Sequence, residues 1–433
     1  MTVTFYVIAG ALLGFGVLVL VSGELSRKRG PSRPGHIALA AIMGFGVVGL
    51  SVKAVALVML NSPPRLAEAV DASRNITPPS RTYGDLPYLR GMAYPPRDKA
   101  WQALPSIPPG EPQNASSTDK VELGRRLFFD QRLSTTGTVS CASCHDISLG
   151  GDDGQMVSTG IEGLKGGRNA PTVINAAFLK RLFWDGRARS LEEQAVGPLM
   201  NPVEMGLSSP EQVVDIVNAD PDYVRRFMDV FNAPVNIEGI AQAIAAFERT
   251  LITNDSPYDR FVRGDATALT PQQLRGMYLF DDLGCRNCHQ DPVFSIAGEL
   301  YSSPYRPFPV FKGTELVERY NLLEDRGRNA NGVWRVPSLR NVELTAPYFH
   351  NGAVTELEEA VRVMATAQLG RTLSNAPQDS LNIVRDDQDR PILIERKALS
   401  DHDVRDIAAF LRALTGTPPN VSAPHIQVSN TMK

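Results

Sequence analysis

Cys141-Ala-Ser-Cys144-His145 and Cys285-Arg-Asn-Cys288-His289 hold all four cysteines of this 433-residue chain in one repeated frame, CxxCH. Two thiols spaced two residues apart reach the two vinyl groups of one porphyrin, and the adjacent imidazole then meets the iron as proximal ligand. A thioredoxin-type CxxC does not require a histidine in either frame, let alone in both. Four cysteines are also too few for a disulfide scaffold at this length. The frames therefore predict two covalently bound haem c groups on Cys141, Cys144, Cys285 and Cys288, with His145 and His289 as iron ligands. Haem attachment of this kind takes place outside the cytoplasm, so the chain is expected to be exported.

Working outward, residues 2–23 carry no charge, and Ile37–Leu60 is apolar except for Lys53. As a helix the first stretch spans roughly 33 Å, enough for a bilayer. Between the two lie Arg27, Lys28, Arg29 and Arg33, which the positive-inside rule assigns to the cytoplasm. A cleaved signal peptide is the simpler reading of the first stretch, but it lacks a basic start and a small-x-small cleavage site. The expectation is a transmembrane helical hairpin over 1–60, with everything after Leu60 in the periplasm. Residues 61–112 contain 11 of the 32 prolines and keep no helical or strand period. Residues 61–116 read as a Pro-rich tether, although Tyr88, Tyr94 and Trp101 suggest that part of it packs on a domain. A net charge of −3, from 44 basic and 47 acidic residues, offers no broad surface for nucleic acid.

The rest reads as mostly α. Helical periods cover Val121–Phe129, Leu191–Val196, Pro210–Val217, Ile237–Leu251, Pro271–Phe280, Leu357–Ala365 and Asp401–Leu414, and no run of alternating strands appears. This part also repeats itself. Pro171–Asn175 answers to Pro337–Asn341, Phe183–Gly186 to Phe349–Gly352, and Leu191–Glu193 to Leu357–Glu359, each 166 positions apart. Two cytochrome c-like domains in tandem follow, over 117–260 and 261–415, with a tail at 416–433. The same offset sets Pro198 against Met364. Proline cannot ligate iron and a thioether can, so the first haem is expected to keep an open position and the second to be filled. A core methionine is the plainer reading of Met364, which lies in an apolar helix. Gln194 and Glu204 stand near Pro198 and could move protons on a bound oxygen species.

Taken together, FFDQRLSTTGTVSCASCH (128–145), GGRNAPTVINAAF (166–178), FWDGRARSLEEQAVGP (183–198), NPVEM (201–205), GCRNCH (284–289) and LTAPYFHNGAVTELEEAVRVM (344–364) resemble the bacterial di-haem cytochrome c peroxidase family. The tryptophan-modifying MauG enzymes are related to it. The resemblance covers about residues 117–415. It implies an N-terminal peroxidatic haem and a C-terminal haem that takes electrons from a donor. It implies that Met364 ligates the second iron and that Gln194, Pro198 and Glu204 form the peroxidatic pocket. Trp184 would lie between the haems, and Asn169, Thr345 and Pro347 would hold an inter-haem Ca2+. The implied reaction reduces H2O2 to water, with a cytochrome c, a cupredoxin or membrane quinol as donor and a homodimer as a common assembly. One position departs from the family pattern. Many members place an iron-capping histidine eight residues before the Asn169 position, where this chain has Ile161. A MauG-like oxidase acting on a protein side chain and a non-catalytic electron-transfer cytochrome are the competing readings. The first normally needs a tyrosine where Met364 stands.

Overall fold

Most helices open on a side chain that accepts a backbone N–H of the first turn, and several add proline at the first helical position. The computed structural model describes residues 100–109, 114–298, 304–374, 381–385, 391–396 and 398–424. The two apolar stretches read as a membrane hairpin lie outside them, and no helix among the described residues is long and apolar enough to cross a membrane. In chain order the helices are α1 (Thr118–Phe129), α2 (Cys141–Cys144), α3 (Leu191–Met200), α4 (Pro210–Asn218), α5 (Pro221–Phe231) and α6 (Ile237–Glu248). They continue with α7 (Pro257–Val262), α8 (Pro271–Asp282), α9 (Glu315–Arg319), α10 (Leu357–Val363) and α11 (Asp401–Arg412). Ser117, Ser190, Ser209, Asp220, Asn236, Ser256, Thr270 and Ser400 supply the caps. Strands are short: β1 (Tyr305–Pro307) pairs antiparallel with β2 (Val333–Arg335), β3 (Thr372–Ser374) parallel with β6 (Ala398–Ser400), and β4 (Leu381–Arg385) antiparallel with β5 (Pro391–Arg396).

The repeat read from the sequence is also a repeat of backbone. Asn175 and Asn341, Phe183 and Phe349, and Gly186 and Gly352 all have positive φ, each pair 166 apart. A phenylalanine at φ +62° or +69° is strained by about 1–3 kcal/mol, and both halves keep that strain at the same turn. Each half is also built on one close helix crossing. A Cβ on Gly124 of α1 would lie 1.8 Å from the Ala243 carbonyl oxygen of α6, and a Cβ on Gly276 of α8 would lie 1.8 Å from that of Asp406 in α11. Glycine is required at both, since no side chain fits against that carbonyl.

Two apolar cores follow from the two crossings. The first gathers Leu123, Leu127, Phe128, Tyr223, Phe227, Ile244 and Phe247; the second gathers Met277, Phe280, Phe294, Val363, Ile407 and Phe410. The cores do not keep to the boundaries read from the sequence. Trp101, from the segment read as tether, is 4% exposed inside the second core and packs against Tyr258, Phe294 and Phe410. Burying an indole of some 150–250 Å² contributes at most about 4–6 kcal/mol. Leu104, wholly buried, donates its N–H to Asp259 Oδ1 at 2.8 Å, and Asp259 pairs with buried Arg340 at 2.6 Å. Tyr258 and Phe261 of α7 belong to the second core too, so it begins before residue 261. In the other direction the tail returns to the first half. Val421 packs on its core and the Ser422 carbonyl accepts from Arg125. A buried joint ties the halves together: Thr253 Oγ1 meets both Asn175 Nδ2 and Asn341 Nδ2, each at 2.9 Å.

Candidate active site

Each CxxCH is wound into a helical turn, and in the second frame the two cysteines and the histidine share one cavity wall. Cys141–Cys144 form α2, whose capping residue Ser140 exchanges hydrogen bonds with Ser143, and Cys285–Asn287 form a 3₁₀ turn entered through Gly284 at φ +84°. The four cysteines make no disulfide. His145 Nδ1 lies 3.1 Å from the Gly151 carbonyl oxygen, and His289 Nδ1 lies 3.2 Å from those of Phe294 and Pro337. A carbonyl partner fixes the proton on Nδ1 and turns the lone pair of Nε2 outward, the arrangement of a metal-ligating imidazole. Burial lowers the pKa of both rings, that of His289 to about 4, so each is neutral and able to ligate.

In the second half these groups face a cavity of about 250 Å³ whose walls include Cys285, Cys288, His289 and Met364. Leu357, Val361, Ile407 and Leu411 supply apolar surface. An apolar cavity with two thiols, one imidazole and one thioether on its lining has the donor set that a covalently attached haem c would take. The helix carrying Met364 widens there: α10 ends at Val363 and a single π turn runs over Met364–Gln368. Such turns often re-aim one side chain at a functional site. His350 is 2% exposed, and its buried Nε2 makes no hydrogen bond among the described residues. It stacks on Trp334 with ring centroids 4.1 Å apart and meets Trp184 edge-on at 6.4 Å. Trp184 Nε1 donates to the Asn169 carbonyl at 2.9 Å, and the Asn169 N–H donates to that of His350 at 2.8 Å. Asn169, Thr345, Pro347 and Trp184 thus share the lining of this one cavity.

The first half replaces the thioether with hydrocarbon. Gln194 and Pro198 are four residues apart on α3, hence on one face. Glu204 follows in the next loop, where Asn201 Nδ2 donates to its Oε1 at 2.7 Å. Burial pushes the Glu204 carboxyl above the usual range, opposed by the Arg187 guanidinium and by the Asn201 hydrogen bond. Ile161 is 7% exposed, inside the first core. Its N–H donates to the Glu204 carbonyl at 3.0 Å, and a Cβ on neighbouring Gly160 would lie 1.9 Å from the Val203 carbonyl oxygen. The loop of Ile161 and the loop of Glu204 therefore lie backbone against backbone.

Four contributors escaped the sequence reading. Asn201, three residues before Glu204, carried a local signal as a side-chain donor in reach. Arg187 lay inside the quoted FWDGR segment and sits with its guanidinium 3.4 Å from the Phe183 ring centroid. Trp334 gave no signal, because only folding brings it to His350. Arg168, next to Asn169, closes this group: it pairs with Asp185 at 2.8 Å and Asp325 at 2.6 Å, and lies over Trp334.

A family model described as di-haem cytochrome c peroxidase matches residues 118–267. The chain is 40% identical to the cytochrome c551 peroxidase of Pseudomonas aeruginosa over 321 residues, which is 72% of this chain and 83% of that protein. This chain belongs to the di-haem cytochrome c peroxidase family. Membership makes it an oxidoreductase of the peroxide-using kind and carries two haem c groups, which the paired CxxCH walls fit. The family reaches further. The methylamine utilization protein MauG of Methylorubrum extorquens is 31% identical, covering 76% of this chain and 87% of that one. A crystal structure of a MauG-like protein associated with microbial copper homeostasis superposes with a TM-score of 0.59 at 30% identity, covering 72% of this chain and 94% of that one.

Proposed function

We propose that this chain is a membrane-anchored, periplasm-facing peroxidase that reduces H2O2 to two waters with two electrons and two protons, the electrons coming from a donor such as a small cytochrome c. The observation that carries this reading is the asymmetry between matched positions. Met364 lines the second cavity, and its counterpart 166 residues earlier is Pro198. Pro198 has no lone pair to offer a haem iron, so the first half would leave room for substrate, whereas the Met364 thioether would suit a haem held for electron transfer. When bound, the haems supply the iron that takes peroxide and the electrons that reduce it.

The protein's own part is proton handling and positioning. Asn201 fixes one oxygen of Glu204, and burial makes the carboxyl hold its proton more tightly than water would. Glu204 is thus suited to carry a proton from one peroxide oxygen to the other. Gln194, on the Pro198 face of α3, presents an amide that can donate to the same substrate. Trp184 and His350, in edge contact, form the packed route between the halves. Asn169, Thr345 and Pro347 are the oxygen donors proposed for Ca2+, mostly through backbone carbonyls. The apolar stretches 2–23 and 37–60, with the basic loop between them, support the membrane anchor and the outward orientation.

Ile161 extends the proposal. A buried hydrocarbon stands where the family resemblance implies a capping histidine, so position 161 offers no ligand and the oxidised enzyme would need no prior reduction. Oxidised protein mixed with H2O2 should react without a lag, and its EPR spectrum should contain a high-spin ferric signal. Two low-spin signals, with a lag abolished by pre-reduction, would sink the reading. The same Ile161 favours a second reading, a MauG-like oxidase of a protein side chain. Steady turnover of H2O2 with a small reduced cytochrome separates the two.

A further inference from the structure

We propose that the first half carries an oxyanion site, shaped for a phosphate-type group, at the N-terminal end of α3. A cavity of about 190 Å³ opens there, lined by Lys180, Arg181, Arg189, Ser190 and Arg249, with Pro109 at its border. Lys180 and Arg189 are exposed and Arg181 is half-buried. None of the three forms an ion pair among the described residues. The Arg249 side chain is 9% exposed, and its Nη2 is 2.7 Å from Glu192 Oε1. Around this cavity two carboxylates stand against four cations: Glu192, on Arg249, and Glu193, whose Oε2 accepts the Arg189 backbone N–H at 2.8 Å.

The duplicated half serves as an internal control. Arg412 of α11 holds the place of Arg249, as the matching Phe410 and Phe247 beside the two helix crossings show. There the arginine is neutralised twice, by Glu358 at 2.9 Å and by Glu343 at 3.8 Å. Glu358 corresponds to Glu192, but Glu343 corresponds to Ala177. Ala346, Pro347 and Thr355 stand where the first half has Lys180, Arg181 and Arg189. One half has thus balanced its arginine. The other has alanine in place of the second acid and three further cations around the same place.

Like charges crowded round one cavity repel each other, and a bound anion removes that cost. The chemistry favours an oxyanion over a halide. Guanidinium forks match the paired oxygens of phosphate, and the N-terminus of the ten-residue α3 adds a favourable dipole. The Ser190 hydroxyl accepts from the Glu193 N–H and keeps its own proton to donate. Free phosphate and the phosphodiester headgroup of an anionic lipid present the same group. Occupancy would bear on the peroxidatic side, because Ser190 and Glu192 begin the helix that carries Gln194 and Pro198.

The test is calorimetric titration of the full-length, haem-loaded protein with inorganic phosphate and with glycerophosphoglycerol, the ionic strength being held constant with chloride. One anion should bind per chain. The K180Q/R181Q/R189Q variant should bind at least about tenfold more weakly, while R225Q/R319Q/R405Q, which neutralises remote surface arginines, should bind as the parent does. Amide exchange over residues 189–194 should slow on binding in the parent alone. Tighter binding of phosphate identifies a free oxyanion as ligand, and tighter binding of the diester identifies a lipid headgroup. Equal binding by the parent and the K180Q/R181Q/R189Q variant, or equal weakening in both variants, overturns the site.

Discussion

Replacing Gly160 by alanine tests whether the contact between the Ile161 and Glu204 loops is what positions the carboxyl proposed to handle peroxide protons. Gly160 has φ −96°, open to alanine, so the substitution tests the contact and not the backbone. The added Cβ would lie 1.9 Å from the Val203 carbonyl oxygen and 2.6 Å from that of Glu204. A relaxed carbon–oxygen approach is about 3.3 Å, so one loop must retreat by roughly 1.4 Å. Such a retreat stretches the 3.0 Å bond from Ile161 N–H to the Glu204 carbonyl past the hydrogen-bonding range. Overpacking costs about 1–3 kcal/mol and the lost bond about 1 kcal/mol, or a fall in Tm of roughly 3–6 °C for a cooperative unit of about 300 residues. A catalytic group displaced by about 1 Å can lose 10²-fold in rate, so kcat/KM for H2O2 should drop by one to two orders of magnitude. Calorimetry gives the first quantity and steady-state reduction of H2O2 by a reduced cytochrome gives the second. A variant with kcat/KM within about threefold of the parent and an unmoved Tm would refute the reasoning.

Glu204→Gln should keep peroxide binding and lose about 10²–10⁴-fold in O–O cleavage, seen by rapid mixing. In the parent, burial raises the Glu204 pKa, so the acidic limb of kcat/KM should lie above the usual carboxylate range of about 4.3, and the Gln variant should lack that limb. Met364→Ala should lower one haem potential and slow electron entry while leaving peroxide binding nearly intact; two unchanged potentials would make Met364 a core residue only. Glu248, buried in α6, is pushed up to about 8 by desolvation. Between the ordinary carboxylate range and pH 8 its unfolded form is ionised while the folded form holds the proton, so stability falls as pH rises. Glu248→Gln should flatten that slope, its Tm gaining on the parent's from pH 5 to pH 8; parallel curves would count against it.

The sequence was most informative where chemistry or periodicity is local. The CxxCH frames, the 166-residue repeat and the longer helices can be read directly, because each needs only neighbours at fixed spacing. α5 and α7 lie outside the helical periods of the sequence analysis, although Asp220-Pro221 and Ser256-Pro257 are cap signals of the same kind as those of α4 and α8. The π turn over Met364–Gln368 has no signature beyond an ordinary helical period, so the end of α10 was placed too late. Trp101 looked out of place in a tether, and that clue was sound, but its pocket is made of Tyr258, Phe294 and Phe410, which only tertiary packing assembles. The stack of Trp334 on His350 was hidden for the same reason. The balance of charge around Arg249 also needed the fold, since Lys180 and Arg189 flank the turn from opposite sides in sequence.

The strap at Trp101 and the tail at Val421 cross the border in opposite directions, so each half wears chain that sequence order would give to the other. Neither half could now be inherited alone. A fragment cut between Ile252 and Ser256 would leave the second core without its tryptophan lid and the first without the strand of tail that seals it. Partners that cannot part company are free to specialise. One copy has proline at 198 and alanine at 177 where the other has Met364 and Glu343, and the two chemistries are always carried side by side.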